Sequence, residues 1–281
     1  MGHRRGGDHR AHDHRQRDHR GRRGHHHHRA GAKRTARPSR ARRGREQVYG
    51  DRCEIVGKLY LVATPIGNLD DVSARALKIL QEAHMVACED TRHTQILLRR
   101  YDIHAKHLTS YTEFNHRHKA AELVGQLDRG WDVALVTDAG TPALSDPGEQ
   151  LVRAAIDAGH DVVPIPGPNA AVSALVASGL PTREFTFVGF IPKKTGERRR
   201  LFEQLIASGR TVVLYESPYR VGDTLADLAA VAPNARVALA RELTKLHEEV
   251  VRGTAADMAG RYADQNVKGE VTIVFAPAAE P

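Results

Sequence analysis

Residues 133–148 read VALVTDAGTPALSDPG, four consecutive apolar residues broken off by Thr, Asp, Gly, Pro and Ser. A short run that is apolar throughout and bounded by turn residues marks a strand buried on both faces, as in a parallel sheet. The segment after it, 147–158, has amphipathic helical spacing, so the unit reads strand, loop, helix. In α/β sheets ligands bind beyond the carboxyl ends of strands, where loops without bulky side chains let backbone amides and carbonyls approach. Asp138, set just past the strand, is therefore a candidate site residue.

Three more loops share the design: 64–68 (TPIGN), 164–169 (PIPGPN) and 216–219 (ESPY). A single loop of this kind is ordinary turn punctuation. Three in one sheet point to a shared ligand site. No G-x-G and no G-x-x-x-x-G-K-[ST] occurs in the chain, which argues against a nicotinamide or flavin fingerprint, the common methyltransferase loop and a phosphate loop.

Outward from residue 133, short apolar or β-branched runs alternate with segments of helical length from Lys58 onward, the pattern of an α/β fold. Strands are expected at 59–64, 85–88, 133–137 and 162–165, with helices at 71–83, 91–101, 114–128 and 147–158. A further helix, 169–178, runs into Gly179-Leu180-Pro181, where Gly and Pro end it and set a lobe boundary. Beyond it, strands are expected at 185–190, 211–215, 236–240, 249–253 and 270–275, with helices at 197–208, 219–230 and 255–265. The last strands are expected to be antiparallel, since short connections cannot make a parallel crossover. The expected architecture is two α/β lobes, 57–179 with a mostly parallel sheet and 180–281 with a mixed one.

The net charge of +8 is unevenly placed. Residues 1–50 hold sixteen Lys and Arg against four acids, leaving 26 bases and 30 acids in the remaining 231 residues. RNA contact by that slightly acidic part therefore needs a local patch. Residues 1–56, rich in Arg, His and Gly, read as a disordered basic tail, because so few apolar groups cannot offset the entropy of ordering. An RNA-binding arm and a metal tract at His25–His28 are possible roles, with a dispensable extension favoured over both. Cys53 and Cys88 form no CxxC pair, as expected of a reduced cytoplasmic protein. Apolar stretches such as 170–180 fall short of the roughly 20 residues of a spanning helix. A polar start with no apolar h-region argues against a signal peptide.

Seven motifs in order, GKLYLVATPIGNLDDVSARAL from Gly57, CEDTR from Cys88, VTDAGTPALSDPG from Val136, PIPGPNA from Pro164, FVGFIPKK from Phe187, YESPYR from Tyr215 and RELTKLHEE from Arg241, resemble the tetrapyrrole methylase superfamily. Within it the likeness is to the branch that acts on small-subunit ribosomal RNA, and it covers about 57–275. The resemblance implies a two-lobed, commonly homodimeric enzyme with S-adenosylmethionine in the interlobe cleft. It implies methylation of the ribose 2′-hydroxyl of a cytidine in the decoding region of 16S rRNA in the 30S subunit. Carried onto this chain, the cofactor residues are Pro65, Asp138, Gly140, Thr141, Pro166, Gly167 and Pro168, with Tyr215 and Glu216 from the second lobe.

Methyl transfer to a hydroxyl needs collinear positioning and a way to remove or stabilise the proton's negative counterpart. The run 241–249 (RELTKLHEE) offers Lys245 to steady an oxyanion and Glu242 to orient it or accept the proton; a solvated charged hairpin is the alternative. Arg92 is a candidate phosphate contact, with Asp90 as helix cap. Lys193, Lys194, Arg198, Arg199 and Arg200 form a cationic cluster suited to RNA phosphates. His107, His116, His118 and His247 lack the pairing of a zinc helix, so no metal is expected. Trp131 and Tyr111 read as core or lid residues. A methyltransferase for a small tetrapyrrole, and a non-enzymatic RNA or metal binder acting through the tail, are the competing readings.

Overall fold

A computed structural model describes residues 56–278. Residues 1–55 of the tail, with His25–His28 and Cys53, lie outside the described residues. Strands β1 (Leu59–Val62), β2 (Met85–Cys88), β3 (Leu108–Ser110), β4 (Val133–Val136) and β5 (Val162–Ile165) form an all-parallel sheet in the order β3-β2-β4-β1-β5. Leu59 is in register with Val133 on one side and Val162 on the other. The sheet is covered on both sides, which is why its strands read as unbroken apolar runs. Helices α1 (Ala74–Glu82) and α2 (Thr91–Arg100) bring Leu80, Leu97 and Leu98 against Val62, Val86 and Val136. On the other face, α3 (His116–Asp128) and α4 (Glu149–Asp157) bring Leu123, Leu127 and Leu151 against Leu59, Met85 and Leu135. Helix α1 starts three residues later than its hydropathy suggests, because the Ser73 hydroxyl caps it by accepting from the Ala76 amide. Residues Leu69–Asp71 before it form a separate 3-10 turn capped by Asn68.

The connection leaving β1 runs to β2, on one side of β1, while that leaving β4 runs to β5, on the other. β1 and β4 are neighbours, so the sheet's topological switch point, where α/β proteins bind ligands, lies between them.

The second sheet comprises β6 (Phe185–Phe190), β7 (Thr211–Glu216), β8 (Arg236–Arg241), β9 (Glu249–Thr254) and β10 (Val271–Ala276), in the order β6-β7-β10-β8-β9. β6 and β7 are parallel and every other pair antiparallel, so the sheet is mixed as expected. One face is covered by α6 (Thr195–Ala207), α7 (Val221–Val231) and α8 (Ala255–Tyr262). The other is covered by α5 (Ala170–Ser178), whose Ala171, Ala174 and Leu175 pack on Val213, Ala238, Ala240 and Val274. Sequence grouping puts α5 with the first lobe, yet its small residues seat it on the second sheet. Because α5 starts at a loop of the first sheet, it holds the two sheets to either side of one cleft. Among the described residues no helix is long and apolar enough to cross a membrane.

Candidate active-site cleft

The loops after β1, β4 and β5 are tied together at the switch point. Thr64 and Gly140 exchange backbone hydrogen bonds of 2.9 and 3.0 Å, and the Thr64 hydroxyl donates to the Thr137 carbonyl at 3.0 Å. The Thr141 hydroxyl donates to the Pro168 carbonyl at 3.3 Å and accepts from the Asn169 amide at 3.2 Å. Asn169 also caps α5 by accepting from the Val172 amide. Gly140 has φ of 83°, a left-handed conformation that favours glycine. The Asp138 carboxylate accepts from the Asp90 amide at 3.0 Å and lies 3.1 Å from His93 Nδ1, so it is fixed in place.

These loops floor a cleft of about 460 Å³ whose opposite wall comes from the second sheet. Of the residues expected to hold a cofactor, Asp138, Gly140, Thr141, Tyr215 and Glu216 line it. Pro65, Pro166, Gly167 and Pro168 do not line it; Pro166 and Gly167 are exposed, and a Cβ on Gly167 would lie 3.0 Å from the Ala63 Cβ, so the loops after β5 and β1 lie close together. The Glu216 carboxylate is consumed internally. It accepts from the Ser217 amide at 2.7 Å, from Arg220 Nε at 2.8 Å and from the Thr224 hydroxyl at 2.6 Å, so it shapes the wall and is not free for a ligand.

Lys245 stands at the rim. Its ammonium lies 2.8 Å from Glu242 and 3.1 Å from Glu270, and Glu270 lines the cleft. A Cβ on Gly67 would come within 2.4 Å of Lys245 Cγ, so the β1 loop lies directly against this side chain. Burial pulls the Lys245 pKa down, but the Glu242 and Glu270 carboxylates outweigh it and hold the ammonium above its ordinary value. Glu242 is held below the usual carboxylate range by its bond to Lys245 and by the Glu270 amide. Glu242 and Thr244 take positive φ of 51° and 67°, so the turn that carries Lys245 holds backbone strain.

Sequence reasoning missed Glu89, Asp146 and Phe190, all of which line the cleft. Phe190 is aimed there by a bulge in β6 between Phe187 and Phe190. Burial and the neighbouring Asp138 raise the Glu89 carboxyl. Burial, then Glu89 and Asp138, push Asp146 up to about 6. Nothing in SDPG except turn chemistry signals Asp146; folding alone brings it to the other acids. Among the described residues no three His, Cys, Asp or Glu side chains are placed to hold a metal ion.

A folded-state value above the ordinary 3.8 means that ionised Asp146 is disfavoured in the folded chain. The resulting penalty is absent at low pH, grows as pH rises through about 6 and is complete above it. Asp146→Asn is thus expected to stabilise the chain by about 1–2 kcal/mol at pH 8, after discounting for partial exposure, and by nothing at pH 4. Urea unfolding at the two pH values checks this; equal stability of the two proteins at pH 8 would refute it.

The profile of the Tetrapyrrole (Corrin/Porphyrin) Methylases matches residues 58–259. The chain belongs to the tetrapyrrole methylase family. It is 48% identical over 229 residues to ribosomal RNA small subunit methyltransferase I of Halalkalibacterium halodurans, covering 82% of this chain and 78% of that one. To the protein of the same name from a Hydrogenobaculum species it is 45% identical over 220 residues, covering 78% and 95%. In fold it is similar to uroporphyrin-III C-methyl transferase from Thermus thermophilus complexed with S-adenyl homocysteine. That match has a TM-score of 0.53 and 19% identity, and covers 78% of this chain and 97% of the other.

In this tetrapyrrole methylase the cations expected to meet RNA divide into four groups. Arg92 folds back on Asp90, 2.5 Å away, the same residue that caps α2 through the Arg92 amide; it does not line the cleft. Arg198 leaves the expected surface cluster altogether. It is 2% exposed and donates through Nε to Asp227 at 2.7 Å and through Nη1 to the Lys193 carbonyl at 3.2 Å, so it is a buried structural cation. Arg199 shares Asp227 at 2.7 Å but stays half exposed. Lys193, Lys194 and Arg200 are exposed on the segment that leaves the cleft wall after Phe190.

Proposed function

We propose that the chain is an S-adenosylmethionine-dependent methyltransferase acting on the ribose 2′-hydroxyl of a cytidine in the decoding region of 16S rRNA, within the 30S subunit. The observation that carries the reading is 48% identity over most of the chain to a relative named as a small-subunit rRNA methyltransferase. The cleft fits the cofactor. Its 460 Å³ lies in the range of about 300–1,000 Å³ usual for such ligands. Its acidic walls, with Glu89, Asp138 and Glu270, complement a ligand bearing a sulfonium and an ammonium. The same acids disfavour a polyanionic tetrapyrrole, while the exposed cations beyond Phe190 suit phosphates.

The bound cofactor supplies an electrophilic methyl group. The chain supplies geometry: Gly140 keeps the floor free of side chains, the tied loops fix it, and Tyr215 closes the opposite wall. Lys245, oriented by Glu242 and reaching the cleft through its ion pair with Glu270, supplies positive potential as charge develops on the target oxygen. Lys245→Ala is expected to lower turnover at saturating RNA by about 10- to 100-fold without weakening cofactor binding. Unchanged turnover would remove Lys245 from the mechanism.

Substituting Lys193, Lys194 and Arg200 together by Glu is expected to weaken 30S binding and to lower the slope of log affinity against log salt by about 2–3. An unchanged slope in filter binding would exclude this cluster from RNA contact. A ribosomal substrate places the work in the cytoplasm. Homodimerisation, checked by light scattering, is supported by the exposed apolar side chains of Val172 and Val176 on α5. The substrate is tested by offering labelled cofactor with unmodified 30S subunits or with a reduced porphyrin. Label on RNA supports the reading; label only on the macrocycle replaces it with the tetrapyrrole alternative.

A further inference from the structure

Ser145 and Asp146 form a wall shared by two chambers: the cleft already described and an adjoining pocket of about 340 Å³, bounded also by Tyr111, Glu113, His116 and Gln150. We propose that this second pocket receives the target nucleoside and that Asp146, facing both chambers, is the catalytic residue that takes the proton of the ribose hydroxyl. The proposal rests on the reading of the chain as a ribose methyltransferase.

In-line transfer needs the methyl donor in one chamber and the accepting oxygen reaching from the other, so the group in the shared wall stands where they meet. The wall is built at a cost. Ala143 and Ser145 both take φ of 65°, a conformation side-chain-bearing residues avoid, and such strain clusters at functional sites. It is also clamped. A Cβ on Gly148 would lie 3.0 Å from Leu135 and 3.1 Å from Ala143, and a Cβ on Gly189 in β6 would lie 2.6 Å from the Ser145 hydroxyl. Both lobes thus hold this segment in place.

Among the described residues Asp146 is the one carboxylate that lines both chambers. Asp138 is occupied by the Asp90 amide and His93, Glu242 by Lys245 and the Glu270 amide, and Glu216 by Arg220 and Thr224. Among the described residues no Lys or Arg lines either chamber. The charged or titratable groups lining the chambers with Asp146 are Glu89, Asp138, Tyr215, Glu216 and Glu270 on the cleft side and Tyr111, Glu113, His116 and Glu149 on the other. This acidic, partly buried setting raises proton affinity, which a general base requires. Phe114, which lies in sequence between the pocket residues Glu113 and His116, is 100% exposed and offers a platform on which a base can stack.

In the step proposed, the hydroxyl proton passes to the Asp146 carboxylate as the oxygen–methyl bond forms. The carbon–sulfur bond breaks with its electron pair left on sulfur, and Asp146 later releases the proton to water. The test is single-turnover methyl transfer to unmodified 30S subunits from about pH 5 to 9, with S-adenosylhomocysteine affinity measured by calorimetry. Asp146→Asn is expected to slow transfer by about 10²-fold or more and to abolish the acid limb of the pH profile, with affinity for S-adenosylhomocysteine unchanged. Phe114→Ala is expected to raise the half-saturating 30S concentration by about tenfold while the rate at saturation holds. Full activity of Asp146→Asn, or a loss matched by lost S-adenosylhomocysteine binding, overturns the catalytic role. Unchanged half-saturation of Phe114→Ala overturns the pocket. A wild-type chain that binds S-adenosylhomocysteine yet methylates no RNA overturns the underlying reading, and the proposal with it.

Discussion

Replacing Asp227 by Ala is expected to destabilise the chain by about 3–5 kcal/mol, because it leaves a guanidinium buried without its counter-ion. Arg198 on α6 and Asp227 on α7 have side chains 3% and 5% exposed, and both oxygens of Asp227 are used, one by Arg198 and one by Arg199. Truncation to Ala removes all of this and leaves Arg198 only the Lys193 carbonyl. The pair itself need not be a large net gain, since taking two charges out of water offsets much of their attraction. The double variant Arg198→Met with Asp227→Leu is therefore expected to recover most of the loss. Urea unfolding with an unchanged slope measures both proteins. A cost under about 1 kcal/mol for Asp227→Ala would mean that Arg198 reaches water, contradicting its burial. The Lys193 carbonyl ties this pair to function: loosening Arg198 loosens the segment proposed to meet RNA.

Gly140→Val is expected to weaken cofactor binding by more than about 10²-fold. At φ of 83° a β-branched residue is strained before any neighbour is considered. Its Cβ would stand 3.5 Å from Ile66 Cγ2, and Ile66 itself lines the cleft, so the added methyls fill the floor. The backbone exchange with Thr64 would be distorted as well, loosening the loops after β1 and β4 together. Calorimetry with S-adenosylhomocysteine gives the affinity, and circular dichroism shows whether the fold persists. A folded Gly140→Val protein with wild-type affinity would move the cofactor away from this cleft.

How far the fold can be read ahead depends on where each element's signal lies. β1, β2, β4 and β5 are visible because burial on both faces makes each an apolar run. β3, Leu108–Ser110, is three residues long with two of them polar, and only Tyr111 beyond it hints at a strand. The allegiance of α5 is hidden for another reason: a helix that is apolar nearly all round does not say which sheet it covers. In the site, Asp138, Gly140 and Thr141 are legible from the abrupt end of β4, since strand-end chemistry is local. Asp146 and Glu89 are not, because their raised proton affinity comes from acids that only the fold assembles. Arg198 sat in a cationic run that reads as surface, although Phe202 and Leu205, four and seven residues on, mark its helix face as buried. Glu216 was legible as a cleft residue, but its internal ion pair with Arg220 depends on the turn between them.

The most direct test of the account is transfer of labelled methyl from S-adenosylmethionine to 30S subunits that lack their native modifications, followed by nuclease mapping of the labelled RNA. The account predicts label on the ribose of one decoding-region cytidine, reduced at least about 10²-fold by Gly140→Val and by Asp146→Asn. Absence of label from RNA by a chain that binds the cofactor, or label on a base in place of a ribose, would contradict it.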